Sequence, residues 1–163
     1  MKKLMENNEK LNSKIRNKMF DKIEKCRLDL QKDPTNPELH VRLGDLYVQW
    51  HLDIFNAGQY IDEAITEYQL AMESLIDSHE IYYKLGVAFY HKGELDKAIN
   101  YLTMALEKKN NYYDAYYMLA ETFIKKAHFT DAIDAAEAAV ICSRFGSSSA
   151  HFLLYKLYEA SSF

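Results

Sequence analysis

Apolar residues recur at steps of three and four through most of this chain, the spacing of one stripe along an α-helix. From Ile15 to Leu30 the stripe is Ile15, Met19, Ile23, Cys26 and Leu30. The run Asp33-Pro34-Thr35-Asn36-Pro37 ends it. Pro34 cannot continue a helix, while Asn36 is placed to cap the next one with Pro37 at its first position. That second helix carries Leu39, Leu43, Leu46, Tyr47, Trp50 and Ile54 on one side and breaks near Asn56-Ala57-Gly58. Further helices are predicted over about 60–74, 79–91, 94–108, 113–126 and 129–142. The turns between them fall at Asp77-Ser78, where either residue could cap the following helix, at Gly93 and at Asn110-Asn111. After Gly146 and the serines 147–149 a last amphipathic helix runs to about Ala160. Residues 1–12 are polar, rich in Asn and Lys, and are expected to be frayed.

The pattern repeats at a step of 34 residues. Ala64, Ala98 and Ala132 stand at that interval, as do Ala71, Ala105 and Ala139. Leu85-Gly86 with Phe89 becomes Leu119-Ala120 with Phe123. Self-similarity at this period means copies of one helical hairpin, because a unit so short cannot bury its apolar face alone and must stack on a neighbour.

These residues resemble the tetratricopeptide repeat family. Its unit is two antiparallel helices, the first with a Leu-Gly pair followed by an aromatic, the second with small residues flanking a large one. Here the first helices read Leu43-Gly44 with Tyr47, Leu85-Gly86 with Phe89, and Leu119-Ala120 with Phe123. The second helices read Ala64, Tyr68, Ala71, then Ala98, Leu102, Ala105, then Ala132, Ala136, Ala139. The resemblance implies an all-α, right-handed solenoid of three such hairpins with capping helices at both ends. The expected division is a single domain over 13–163. It comprises a capping helix at 13–33, repeats at 37–78, 79–112 and 113–146, and a capping or half-repeat helix at 147–161.

The chain departs from the family pattern in three ways. Ile76, Asn110 and Arg144 replace the proline that usually closes the second helix, and Ala120 and Ala136 make the third repeat less typical. Leu43 to Leu85 spans 42 residues, eight more than the step, and the excess falls between Gly44 and Ala64. Placed in the first helix, seven further residues would project it by about 10 Å and carry Trp50 and Phe55 outward.

Composition narrows the function. In 163 residues, 48% of them hydrophobic, there is material for one continuous core. Five Gly and two Pro favour helices over turn-rich sheets. A net charge of −4 supplies no basic field for phosphates, so nucleic acid is not expected as a partner, and Lys108-Lys109 and Lys125-Lys126 read as solvated helix ends. Cys26 and Cys142 lie on apolar stripes and are too few for a disulfide framework. The start MKKLMENNEK lacks the apolar run of a secretory signal, and no stretch reaches membrane-spanning length. A cytoplasmic location is expected. No phosphate-cradling glycine loop, metal-ligand motif or nucleophile elbow is present, so neither enzymatic activity nor a cofactor or metal is expected.

In the family, stacked first helices line a concave groove that commonly binds a peptide. Counting from the key leucines, the expected groove residues are Val41, Tyr83, Tyr117 and Phe152; Asp45, Val87, Glu121 and Lys156; and Val48, Tyr90 and Ile124, with Glu159 at the end. The centre is aromatic and the flanks are mostly acidic. The lysine, asparagine and arginine clamp with which the chaperone-binding branch holds a terminal carboxylate is absent from these positions. The resulting expectation is a non-enzymatic adaptor holding a protein segment with apolar anchors and some basic residues. Two alternatives stand beside it: a small secretion-type chaperone, and a module that assembles with copies of itself through Trp50, Phe55 or the last helix.

Overall fold

In the computed structural model, which describes residues 2–53, 58–143 and 147–161, the chain is built of α-helices in consecutive hairpins. They are α1 (Lys2–Lys32), α2 (Pro37–Asp53), α3 (Gly58–Ser74), α4 (His79–Lys92), α5 (Leu95–Lys108), α6 (Tyr113–Lys125), α7 (Phe129–Cys142) and α8 (Ser148–Ser161). The all-α, hairpin-repeat class expected from the sequence is the one found. The backbone is helical from Lys2, through the stretch expected to be frayed. The chain divides into two compact units, Met1–Ser74 and Leu75–Phe163.

In the first unit α1 packs on α2, and α2 pairs with α3. Met19, Ile23 and Cys26 are buried on the inner stripe of α1. The Asn36 side chain accepts hydrogen bonds from the backbone N–H groups of Glu38 and Leu39 at 3.1 and 3.2 Å, the cap that its place before Pro37 predicts. Arg27 ties the two helices by donating to the Tyr47 hydroxyl at 2.8 and 3.1 Å.

In the second unit α4 pairs with α5 and α6 with α7, while α5 lies against α6 and α8 against α7. Ile81, Leu85 and Leu102 are fully buried, and Leu102, Leu119, Ala120, Ala132, Ala136 and Leu157 share one core. The N-cap position of α4 is held by Ser78 without a side-chain hydrogen bond; Asp77 instead pairs with Lys108 at 2.8 Å.

The repeated small residues have a direct steric reason. A Cβ on Gly44 would lie 2.5 Å from the Tyr68 ring, and one on Gly86 would lie 2.7 Å from Leu102 Cγ. Both distances are far inside van der Waals contact, so each glycine makes room for the large residue of its partner helix. In the third hairpin the equivalent pair is Ala120 with Ala136, both fully buried. A smaller residue on the second helix accompanies the added methyl on the first.

The eight extra residues of the first hairpin are placed differently from the expectation. Relative to α4 and α5, α2 gains three at its end, α3 gains three at its start, and two fall between the helices. The hairpin tip is thus lengthened on both arms by about 4.5 Å. Sharing the extension keeps its apolar residues paired: Tyr60 on α3 stacks on Tyr47 at 5.9 Å and meets Trp50 at 5.3 Å.

Candidate functional site

Helices α4 and α6 are the first arms of consecutive hairpins and touch each other, which brings their groove residues onto one face of the second unit. Regular turns set their register. Gly93 closes α4 at φ 86°, with the N–H of Glu94 bonded to the Phe89 carbonyl at 3.0 Å. One repeat later Ala127 takes φ 59°, and the N–H of His128 reaches the Phe123 carbonyl at 2.9 Å. The same helix-ending motif therefore recurs with alanine in the left-handed position that favours glycine.

The face carries a row of tyrosines, each beside a carboxylate. Tyr83, on α4, packs against the core of the following hairpin and meets the Tyr112 ring at 5.2 Å. Burial, reinforced by the negative charge of Asp114, pushes its phenol up to about 12. Burial likewise raises Tyr112, with further contributions from Tyr83, Asp114 and Glu80. Tyr90, near the end of α4, and Tyr117, one repeat after Tyr83 on α6, both feel the charge of Glu121. The phenol of Tyr90 is raised by burial and by the charge of Glu121. That of Tyr117 is raised by burial and by the nearby Glu121 carboxylate. Tyr113 stacks on Tyr117 at 6.1 Å and bonds through its hydroxyl to Ser147 Oγ at 2.6 Å. Ile124 rests against the core, and Val87 is half-buried on α4.

Two lysines that sequence reading assigned to solvated helix ends are drawn onto this face. The Lys125 ammonium lies 4.5 Å from the centre of the Tyr90 ring and donates to the Tyr90 carbonyl at 3.3 Å. The Lys109 ammonium lies 4.8 Å from the centre of the Tyr112 ring. Their neighbours Lys108 and Lys126 form ion pairs with Asp77 and Asp96. The density of tyrosines around position 112 was a usable signal for this end of the site; the lysine destinations had none.

The remaining predicted residues lie apart. On α8, Phe152 is 59% exposed and carries the Lys156 ammonium 4.5 Å from its ring centre. Glu159 accepts a hydrogen bond from Tyr155 on the same helix. In the first unit, Val41 and Val48 are half-buried on α2, and Asp45 accepts a hydrogen bond from the Tyr68 hydroxyl at 2.7 Å. Trp50 is half-buried against Tyr60, and Phe55 lies outside the described residues.

Among the described residues no group of three or more His, Cys, Asp or Glu side chains could hold a metal ion, and no helix is long and apolar enough to cross a membrane. Cys26 and Cys142 are free thiols, the first buried and the second half-buried.

Residues 79–112 match the family model described as tetratricopeptide repeat. No curated protein matches the chain by sequence. Among solved structures, that of MamA is similar at a TM-score of 0.77, with 26% identity over 93% of this chain and 84% of that one. The Sgt2 TPR domain from Aspergillus fumigatus is similar at 0.68, with 16% identity over 77% of this chain and 79% of its own. The first TPR of Spaghetti (RPAP3), bound to the HSP90 peptide SRMEEVD, is similar at 0.68, with 16% identity over 78% of this chain and 94% of its own. With residues 79–112 matching the repeat model and the fold shared over most of the chain with tetratricopeptide repeat domains, the chain carries a tetratricopeptide repeat within a fold of that kind.

Proposed function

We propose that the protein is a non-enzymatic adaptor that captures a segment of a partner protein on the tyrosine-lined face of α4 and α6. The observation that carries this reading is the row Tyr83, Tyr90 and Tyr117 on consecutive first helices, half-buried with part of each ring left accessible. Tyrosine offers a large contact area at low conformational cost and is enriched where partners anchor. The RPAP3 domain, which shares the fold, is bound to a peptide, and this supports a peptide-sized occupant. An acidic peptide terminus fits this chain poorly, because Asp114 and Glu121 stand on the same face as the tyrosines. A cytoplasmic location is part of the proposal.

The test is affinity capture from lysate with the wild-type chain and with the Tyr83→Ala, Tyr117→Ala double variant, whose helicity is checked by circular dichroism. A protein held by the wild type and lost by the helical variant is the expected outcome. Equal capture by both would remove the face from consideration. A second reading, assembly with copies of the same chain, is favoured by α8, where Phe152 and Tyr155 are 59% and 58% exposed. Sedimentation at rising concentration separates the two, since only the second makes the mass depend on concentration.

A further inference from the structure

We infer that Tyr90, Tyr117 and Glu121 form a seat for a lysine or arginine side chain of the captured segment, and that Lys125 occupies the seat's edge as an internal stand-in. The inference rests on the peptide-capturing face proposed above and names the chemistry that the face selects.

Three observations converge. Tyr90 on α4 and Tyr117 on α6 both lie in the field of Glu121, whose negative charge helps raise both phenols. A carboxylate and aromatic rings on one face attract a cation through the charge of the first and the negative faces of the second. Lys125 shows that the Tyr90 part of this face takes an ammonium, which lies 4.5 Å from the ring centre and donates to the Tyr90 carbonyl at 3.3 Å. At the other end of the same face, Lys109 stands over Tyr112 at 4.8 Å, beside tyrosines that border Glu80 and Asp114. Each tyrosine cluster therefore already holds one ammonium from its own chain. Lys125 is on the exposed end of α6, and its long side chain can leave the ring for solvent at little cost. A partner's cation would then gain the Tyr90 face together with Glu121.

The probe is a phage-displayed library of random peptides selected on the immobilised full chain, with enriched residues counted by sequencing. The expected result is enrichment of Lys and Arg together with apolar residues on the wild type. On Glu121→Gln, which keeps the side-chain shape, basic enrichment is lost while apolar enrichment remains. A selected basic peptide is expected to bind Glu121→Gln up to about five-fold more weakly than wild type by fluorescence anisotropy. Lys125→Ala is expected to bind the same peptide more tightly, and Lys108→Ala, which makes the same charge change beside Asp77, is not.

Apolar enrichment without basic residues, lost on Tyr83→Ala with Tyr117→Ala, would overturn the seat and leave the capturing face standing. Enrichment indifferent to that double variant, or none at all, would overturn both. An equal gain for Lys125→Ala and Lys108→Ala would reduce the effect to net charge and overturn the seat as well.

Discussion

Gly86 and Leu102 occupy one volume between them, and the fit has no slack. Adding a methyl at Gly86 forces a contact of 2.7 Å with a branched carbon of a fully buried side chain. Gly86→Ala is expected to destabilise the fold by about 1–3 kcal/mol. Introduced into Leu102→Ala, where that carbon is absent, the same change should cost far less. A double-mutant cycle in urea reads the coupling, and additive losses would contradict the steric account. Ala127 is the converse case. Its φ of 59° is a conformation that an L-residue adopts at a cost of about 1–2 kcal/mol. Ala127→Gly is therefore expected to raise stability by about 1 kcal/mol, the steric relief being offset in part by the greater freedom of glycine in the unfolded chain; a lowered thermal midpoint would refute this. Of these residues, the Leu-Gly pairs and the Asn36 cap were legible in the sequence because their chemistry is local. The conformation of Ala127 was not, because alanine carries no mark of a left-handed turn and only the register with Gly93 points to it.

Between elements, His40 holds the turn before α2 to α3. Its Nδ1 faces a Glu67 carboxylate oxygen at 2.6 Å and its Nε2 faces the Pro34 carbonyl at 2.9 Å. Both partners can only accept, so the geometry calls for the doubly protonated ring. Burial alone would push the imidazole pKa down. The hydrogen bonds to Glu67 and Pro34, and the charges of Glu67 and Glu73, more than reverse that and raise it above its ordinary value. A pKa raised on folding contributes stability that is complete below the unfolded value of about 6.5 and is lost as pH rises through the folded value. The urea midpoint of the wild type should accordingly fall between about pH 6 and about pH 8 by more than that of Glu67→Gln. Parallel profiles would show that the pair contributes nothing to the dependence. At this scale the sequence located the helices and the eight-residue excess. It could not apportion the excess between α2 and α3, because the stripe through Trp50 and Ile54 continues the first helix equally well. The partner that decides the matter, Tyr60, lies on the other arm.

Across the whole molecule, the 34-residue step was enough to establish the class of fold, since stacked hairpins are what such a period can bury. The tyrosine positions of the proposed face also followed from register with the key leucines. The acidic flanks, Glu121 among them, followed in the same way; what the register could not supply was where the lysines of that face go. Lys109 and Lys125 reach Tyr112 and Tyr90 across turns and between hairpins, and the destination of a long flexible side chain is set by tertiary neighbours rather than by its place in a helix. The matched pairs inside the hairpins bear on how such an array can change. An α4 put in the place of α6 as the hairpin partner of α7 would leave a hollow where Gly86 meets Ala136, and an α6 put in the place of α4 as the hairpin partner of α5 would drive the methyl of Ala120 into Leu102. Duplication or shuffling can therefore move these hairpins only whole, and a recombination point within one would yield a chain that has kept its consensus residues and lost its fit.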